Sequence, residues 1–200
     1  MIITPPDTAG AEGHVAEMYA DDIDDDGFVY AHTQAMAVNP EAHAAFEALI
    51  QAVVPSIGIR VYEAATLGAA RAIGSTHCLL AHGRKSLHAG ILDESGLAAF
   101  ARGDDSGFTE AEQVVIRFAA KLSTDAGTMT DADSEELRDV GYSDRQIVDI
   151  TLAAGVRNYF SRALLALAVP VDVVPGLPAD LAGALTRSTS ADPPGPPADR

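Results

Sequence analysis

Tyr62-Glu63-Ala64-Ala65-Thr66-Leu67-Gly68-Ala69-Ala70-Arg71-Ala72-Ile73-Gly74-Ser75-Thr76-His77-Cys78-Leu79-Leu80-Ala81-His82-Gly83 is the stretch on which the fold turns. Its alanine and leucine content suits helix, and Gly74 interrupts it: glycine closes one helix and Ser75 stands ready to cap the next. With Ser75 as the cap, Cys78 falls in the first turn, where free backbone N–H groups and the positive end of the helix dipole favour a thiolate over a thiol. His82 follows four residues later, so both side chains share one face, within reach of a direct or water-bridged proton transfer. Glu63 precedes Cys78 by fifteen residues, which on one straight helix is about 22 Å. It joins the site only if the chain bends, and Gly68 and Gly74 are the places for a bend. Otherwise Glu63 pairs with Arg60 or Arg71 near a helix surface.

Outward from this segment, helix punctuation is dense. Asn39-Pro40-Glu41 opens a helix with a side-chain cap, a proline at its first position and an acid facing the dipole. That helix is predicted to run to Pro55, burying Phe46, Leu49, Ile50 and Val53 along one stripe. Thr109 and Glu112 form a capping box for a helix to Leu122, with Val115, Phe118, Ala119 and Leu122 inward. A short helix after Thr130 stops near Gly141, and Ser143 with Gln146 opens a long one that Pro170 ends. Further helices are expected between Gly10 and Tyr19 and between Ile59 and about Gly90. The acidic residues 21–26 read as a solvated loop. Asp22-Ile23-Asp24-Asp25-Asp26-Gly27 copies the opening of a calcium loop, but position twelve is Thr33 in place of the bidentate glutamate. From Arg187 the chain is proline-rich with nothing large and apolar to bury, so a single domain over 1–186 is expected, followed by a disordered tail over 187–200.

Composition agrees with an all-α compact helical bundle: 48% of the 200 residues are hydrophobic, yet only 6% are aromatic and none is tryptophan, which suits close-packed alanine-rich helices better than strands. The formal net charge of −16 argues against nucleic acid or an anionic membrane as partner. No basic, apolar signal opens the chain, and no run of about 18 uncharged apolar residues is present, so a soluble cytoplasmic protein is expected. A lone cysteine forms no intrachain disulfide, so its redox partner must lie outside the chain. No cofactor and no metal is expected. A zinc or iron set from Glu63, His77, Cys78 and His82 fails because the adjacent His77 and Cys78 project in different directions.

Glu63, the Ser75-x-x-Cys78 pair and His82, with the local run His77-Cys78-Leu79-x-Ala81-His82, resemble the alkylhydroperoxidase D-like branch of the carboxymuconolactone decarboxylase family. The likeness extends through Pro40-Glu41, the Glu112 to Leu122 helix, Leu137-Arg138-x-x-Gly141-Tyr142-Ser143-Asp144 and Asn158-Tyr159-Phe160-x-Arg162, covering roughly residues 10–172. The resemblance implies a helical bundle that assembles as a trimer or hexamer. It also implies that Cys78 attacks a hydroperoxide, that position 75 holds the resolving group, and that Glu63, His77 and His82 relay protons. Serine at position 75 departs from the family, because it forms no disulfide. Any peroxidase cycle would stop at a sulfenic acid that an external thiol reduces.

The expected function is therefore a thiol-dependent hydroperoxide reductase acting on a small hydroperoxide. Two other readings stand beside it: a lyase acting on a small carboxylated lactone, for which Arg60, Arg71 or Arg162 would have to point into the pocket, and a non-catalytic oligomeric family member. Arg162 otherwise reads as a structural clamp, and Ser75 as a helix cap.

Overall fold

The structure, a computed structural model, describes residues 1–188. Among them are nine α-helices and no strand: α1 (Gly13–Asp26), α2 (Ala31–Met36), α3 (Pro40–Ala72), α4 (Thr76–His88), α5 (Glu94–Ala101), α6 (Glu110–Asp125), α7 (Asp131–Asp139), α8 (Asp144–Ala166) and α9 (Ala179–Ser188). The all-α expectation holds. Arg187 and Ser188, expected in the tail, belong to α9, and the remainder of that segment lies outside the described residues.

The second half of α3 is the centre of the bundle. Tyr62 to Ala70 are all buried, and α3 packs chiefly against α6 and α8. Small residues allow this approach. A Cβ on Gly68 would stand 2.8 Å from the backbone oxygen of Ile116 on α6, so Gly68 serves close packing and not a bend. The bend after this half is at Gly74, whose φ of 68° reverses the chain into α4. Leu67, Leu79, Leu97, Phe100, Ile116 and Ile150 fill the core.

The break before this half lies at Gly58 (φ 76°, ψ 160°) and not at Pro55, which is carried inside α3. Of the stripe expected ahead of it, only Val53 is fully buried. Leu49 is exposed, and Phe46 and Ile50 are half-buried, packing against the core while also lining a cavity. By length and composition α3 alone among the described helices could cross a membrane. The window that qualifies is mostly unburied, whereas the second half of the helix is the buried middle of the bundle and carries Glu63.

Residues 21–26 are not a loop. They form the last turns of α1, which Gly27 ends in the left-handed conformation. Acids at a helix C-terminus oppose the dipole, and here tertiary partners offset that. Asp22 accepts the backbone N–H of Tyr30 at 2.9 Å, while Asp26 accepts the Tyr30 hydroxyl at 2.8 Å and a 2.6 Å ion pair from Arg84. The capping boxes of Thr109 with Glu112 and Ser143 with Gln146 form as read, and α8 stops at Ala166, before Pro170.

Candidate active site

The reversal at Gly74 lays α4 against α3, and Glu63 meets His82: Nδ1 of His82 lies 2.7 Å from Oε2 of Glu63. Both residues are almost sealed from solvent, at 2% and 5% exposure. A carboxylate only accepts, so Nδ1 carries the proton and Nε2 keeps its lone pair. Burial pushes the His82 imidazole down to about 4; Glu63 works against that shift and Arg157 adds to it. His82 is thus held neutral, oriented as a base by a buried carboxylate.

Cys78, in the first turn of α4, is buried. Its Sγ lies 3.0 Å from Ser161 Oγ and receives Arg157 Nη1 at 3.5 Å, both from α8. No hydrogen bond joins Cys78 to His82 among the described residues, so the expected proton transfer needs a bridging group. The other Arg157 fork nitrogen, Nη2, donates to the Tyr62 hydroxyl at 3.2 Å, and the guanidinium lies 5.6 Å from the centre of the Phe160 ring. Arg157 is 4% exposed, and no carboxylate reaches it among the described residues. Burial opposes its charge, while Cys78 and Tyr62 raise its pKa and keep the cation.

These groups share one cavity of about 730 Å³. Glu63, Tyr62, Cys78, His82 and Arg157 line one part. Met18, Met36, Phe46, Ile50, Val54 and Phe160 supply apolar walls, and His32 on α2, its pKa lowered by burial, is among the further polar lining residues, with Asp21, Asp22, His43 and Glu47.

Of the five site residues read from sequence, the fold gathers Cys78, His82 and Glu63. His77 lines the same cavity but turns its Nε2–H to the Pro170 carbonyl at 3.0 Å, bonding to neither Cys78 nor His82. Ser75 occupies the cap position of α4 without capping it. Its side chain is fully buried and its hydroxyl has no partner among the described residues.

The three arginines considered for the pocket are engaged elsewhere: Arg60 with Glu112, Arg71 with Asp105, and Arg162 with the backbone oxygen of Ser123. Glu63 accordingly pairs with neither Arg60 nor Arg71. Arg157 and Ser161 were missed. Their signal was present, since both occupy the buried stripe of α8 marked by Ile150, Ala153, Ala154 and Leu164, and an arginine on an apolar stripe demands a reason.

No family model matches the chain, and no curated protein matches it. Solved structures do. The alkylhydroperoxidase D core of an uncharacterized peroxidase-related protein from Ralstonia eutropha JMP134 is 20% identical, with a TM-score of 0.68 over 86% of this chain and 92% of that one. An uncharacterized peroxidase-related protein from Silicibacter sp. TM1040 is 22% identical, with a TM-score of 0.69 over 85% and 92%. The debrominase Bmp8, solved as a cysteine-to-alanine variant with 2,3,4-tribromopyrrole, is 18% identical, with a TM-score of 0.72 over 94% and 97%. At these identities the likeness establishes the fold, that of the alkylhydroperoxidase D-like proteins, and the debrominase shows that this fold hosts more than one activity.

Proposed function

We propose that this chain of alkylhydroperoxidase D-like fold is a thiol-dependent hydroperoxide reductase, with Cys78 as its single attacking thiol. The observation that carries the reading is the setting of Sγ: on the wall of a cavity, between the Ser161 hydroxyl and a buried guanidinium that no carboxylate neutralises. A cation so placed can stabilise the negative charge that moves from sulfur toward the departing oxygen during attack. The peroxidase-related neighbours of the same fold support the same class.

His82, held neutral by burial and oriented by Glu63, takes the thiol proton through a bridging water in the cavity. Sulfur then attacks the distal peroxide oxygen and the O–O bond breaks. The electron pair leaves on the proximal oxygen as an alkoxide, which takes the proton from His82. Cysteine is oxidised to sulfenic acid and the hydroperoxide is reduced to an alcohol. Since Ser75 supplies no second thiol, one external thiol forms a mixed disulfide and releases water. A second external thiol displaces Cys78 and leaves as the disulfide. A reducing compartment such as the cytoplasm supplies those thiols, and we include assembly as a homo-oligomer in the proposal.

One observation favours a second reading. An arginine without a carboxylate partner, facing a cavity, is also a receptor for a substrate carboxylate, as a lyase acting on a carboxylated lactone requires. The test is consumption of an alkyl hydroperoxide by the reduced protein, with intact mass read for one added oxygen. Cys78→Ser should abolish both and Ser75→Ala should retain the oxidation step. Peroxide turnover surviving in Cys78→Ser would rule out the thiol mechanism, whereas lactone turnover surviving there would support the lyase.

A further inference from the structure

Away from the thiol, three side chains with metal-binding chemistry meet across α1 and α3. His14 Nε2 and His43 Nδ1 lie 3.4 Å apart, and Oε2 of Glu47 is 3.6 Å from the His43 nitrogen and 3.9 Å from the His14 nitrogen. The point equidistant from these three atoms is about 2.1 Å from each, the bond length that zinc and its first-row neighbours make to imidazole nitrogen and carboxylate oxygen. A hydrogen bond alone explains the cluster poorly, since 3.4 Å is long for a shared proton between two nitrogens.

The surroundings match the chemistry. Glu17 lies 3.1 Å from Nδ1 of His14. A carboxylate there holds the proton on Nδ1 and leaves the Nε2 lone pair facing the cluster, the carboxylate–histidine–metal pattern that orients ligands in metalloproteins. His43 and Glu47 stand four residues apart on one helical face of α3 and line the cavity that Cys78 lines, together with Asp21 and Asp22. The three ligands are partly exposed, so an ion has an entry path and its remaining coordination positions stay open to water or ligand.

We propose that His14, His43 and Glu47 form a binding site for a first-row divalent cation of the zinc type at the cavity's edge, with an open coordination position. The site does not depend on the peroxidase reading. An ion there would give an anionic or carbonyl-bearing ligand a point of attachment, separate from Arg157, in the same cavity.

The experiment titrates untagged full-length protein with zinc ions in isothermal calorimetry, in physiological salt with excess magnesium to occupy the acidic surface. It is run on the natural sequence, on Cys78→Ser to exclude the thiol as ligand, and on His43→Ala and Glu47→Gln. One zinc ion per chain is expected, unchanged in Cys78→Ser and weakened at least about tenfold in each ligand variant, the scale on which even outer partners of metal ligands act. Cobalt ions should give visible absorption bands that His43→Ala removes. His14→Gln serves as the alternative should His43→Ala fail to fold. Zinc binding that survives in the folded ligand variants, or that magnesium abolishes in the natural sequence, overturns the proposal.

Discussion

Arg157 brings a permanent charge into the interior, where an unpaired ion costs several kcal/mol. Its contacts with Cys78, Tyr62 and the Phe160 ring are too few for a guanidinium kept for stability alone, and its Nε has no partner among the described residues. Arg157→Met, close in volume and uncharged, should therefore leave the thermal midpoint unchanged or raised while slowing oxidation of Cys78 by at least about tenfold, the worth of roughly 1.4 kcal/mol. Paired thermal melts and single-turnover oxidation rates check both halves. A variant that unfolds with its rate intact would make Arg157 structural. His82 carries a pH prediction. In the unfolded chain it titrates at the ordinary value, 6.5, whereas burial holds the folded group down to about 4. As pH falls through 6.5 the unfolded state takes up a proton that the folded state refuses, so stability present above 6.5 drains away between about 6.5 and 4. His32, lowered by burial in the same direction, adds to the loss. Denaturant melts across that window should show a steeper decline in the natural sequence than in His82→Gln. At this scale helical spacing put Cys78 and His82 on one face, whereas Glu63 entered through the family resemblance and a bend that the sequence left open between Gly68 and Gly74. The sequence hid Arg157 and Ser161, which reach the sulfur only because α8, remote in sequence, packs on α3.

At the scale of elements, signals carried within a few residues were legible. The caps at Asn39, Thr109 and Ser143 and the stops near Gly74 and Gly141 stand where their side chains and backbone demand. Two expectations failed, the first because tertiary contact overrode local preference and the second because a backbone signal at a glycine outweighed a proline. The acidic end of α1 is helical since Tyr30 and Arg84 meet its carboxylates. The break in α3 falls at Gly58, where a positive φ excludes most other residues, instead of at the more conspicuous Pro55. The approach of α3 to α6 through Gly68 was likewise invisible, since nothing in the sequence says that the facing wall is the Ile116 backbone. That approach is testable. Backbone cannot move aside as a flexible side chain can, so Gly68→Ala should destabilise the fold by about 1–3 kcal/mol, the range for overpacked cores, in spite of alanine's better helix propensity. Thermal melts decide it, and an unchanged or raised midpoint would mean that the two helices have room to separate.

For the whole molecule, the size of the cavity bears on what enters it. Hydrogen peroxide is little larger than a water molecule, whose share of liquid volume is about 30 Å³, and would leave most of about 730 Å³ without ligand contact. Away from the thiol, one stretch of wall is apolar beside the polar edge that His43, Glu47, Asp21 and Asp22 form: Phe46 stacks on Phe160 with ring centres 4.8 Å apart, and Met18, Met36, Ile50 and Val54 continue that stretch. An organic hydroperoxide with an aromatic or branched body buries apolar surface there, at roughly 25 cal/mol per Å², while its peroxide end meets Cys78. Binding that also orients the peroxide oxygen toward sulfur contributes to kcat/KM. Cumene hydroperoxide should therefore exceed hydrogen peroxide in kcat/KM by at least about tenfold, since a methylene or two of fitted surface already discriminates on that scale. Phe46→Ala, which removes wall without touching the polar cluster, should narrow the ratio by raising KM for cumene hydroperoxide and leaving the rate with hydrogen peroxide nearly unchanged. Equal kcat/KM for the two peroxides in the natural sequence would mean that the apolar walls serve some other ligand, and would detach the cavity's volume from the chemistry at Cys78.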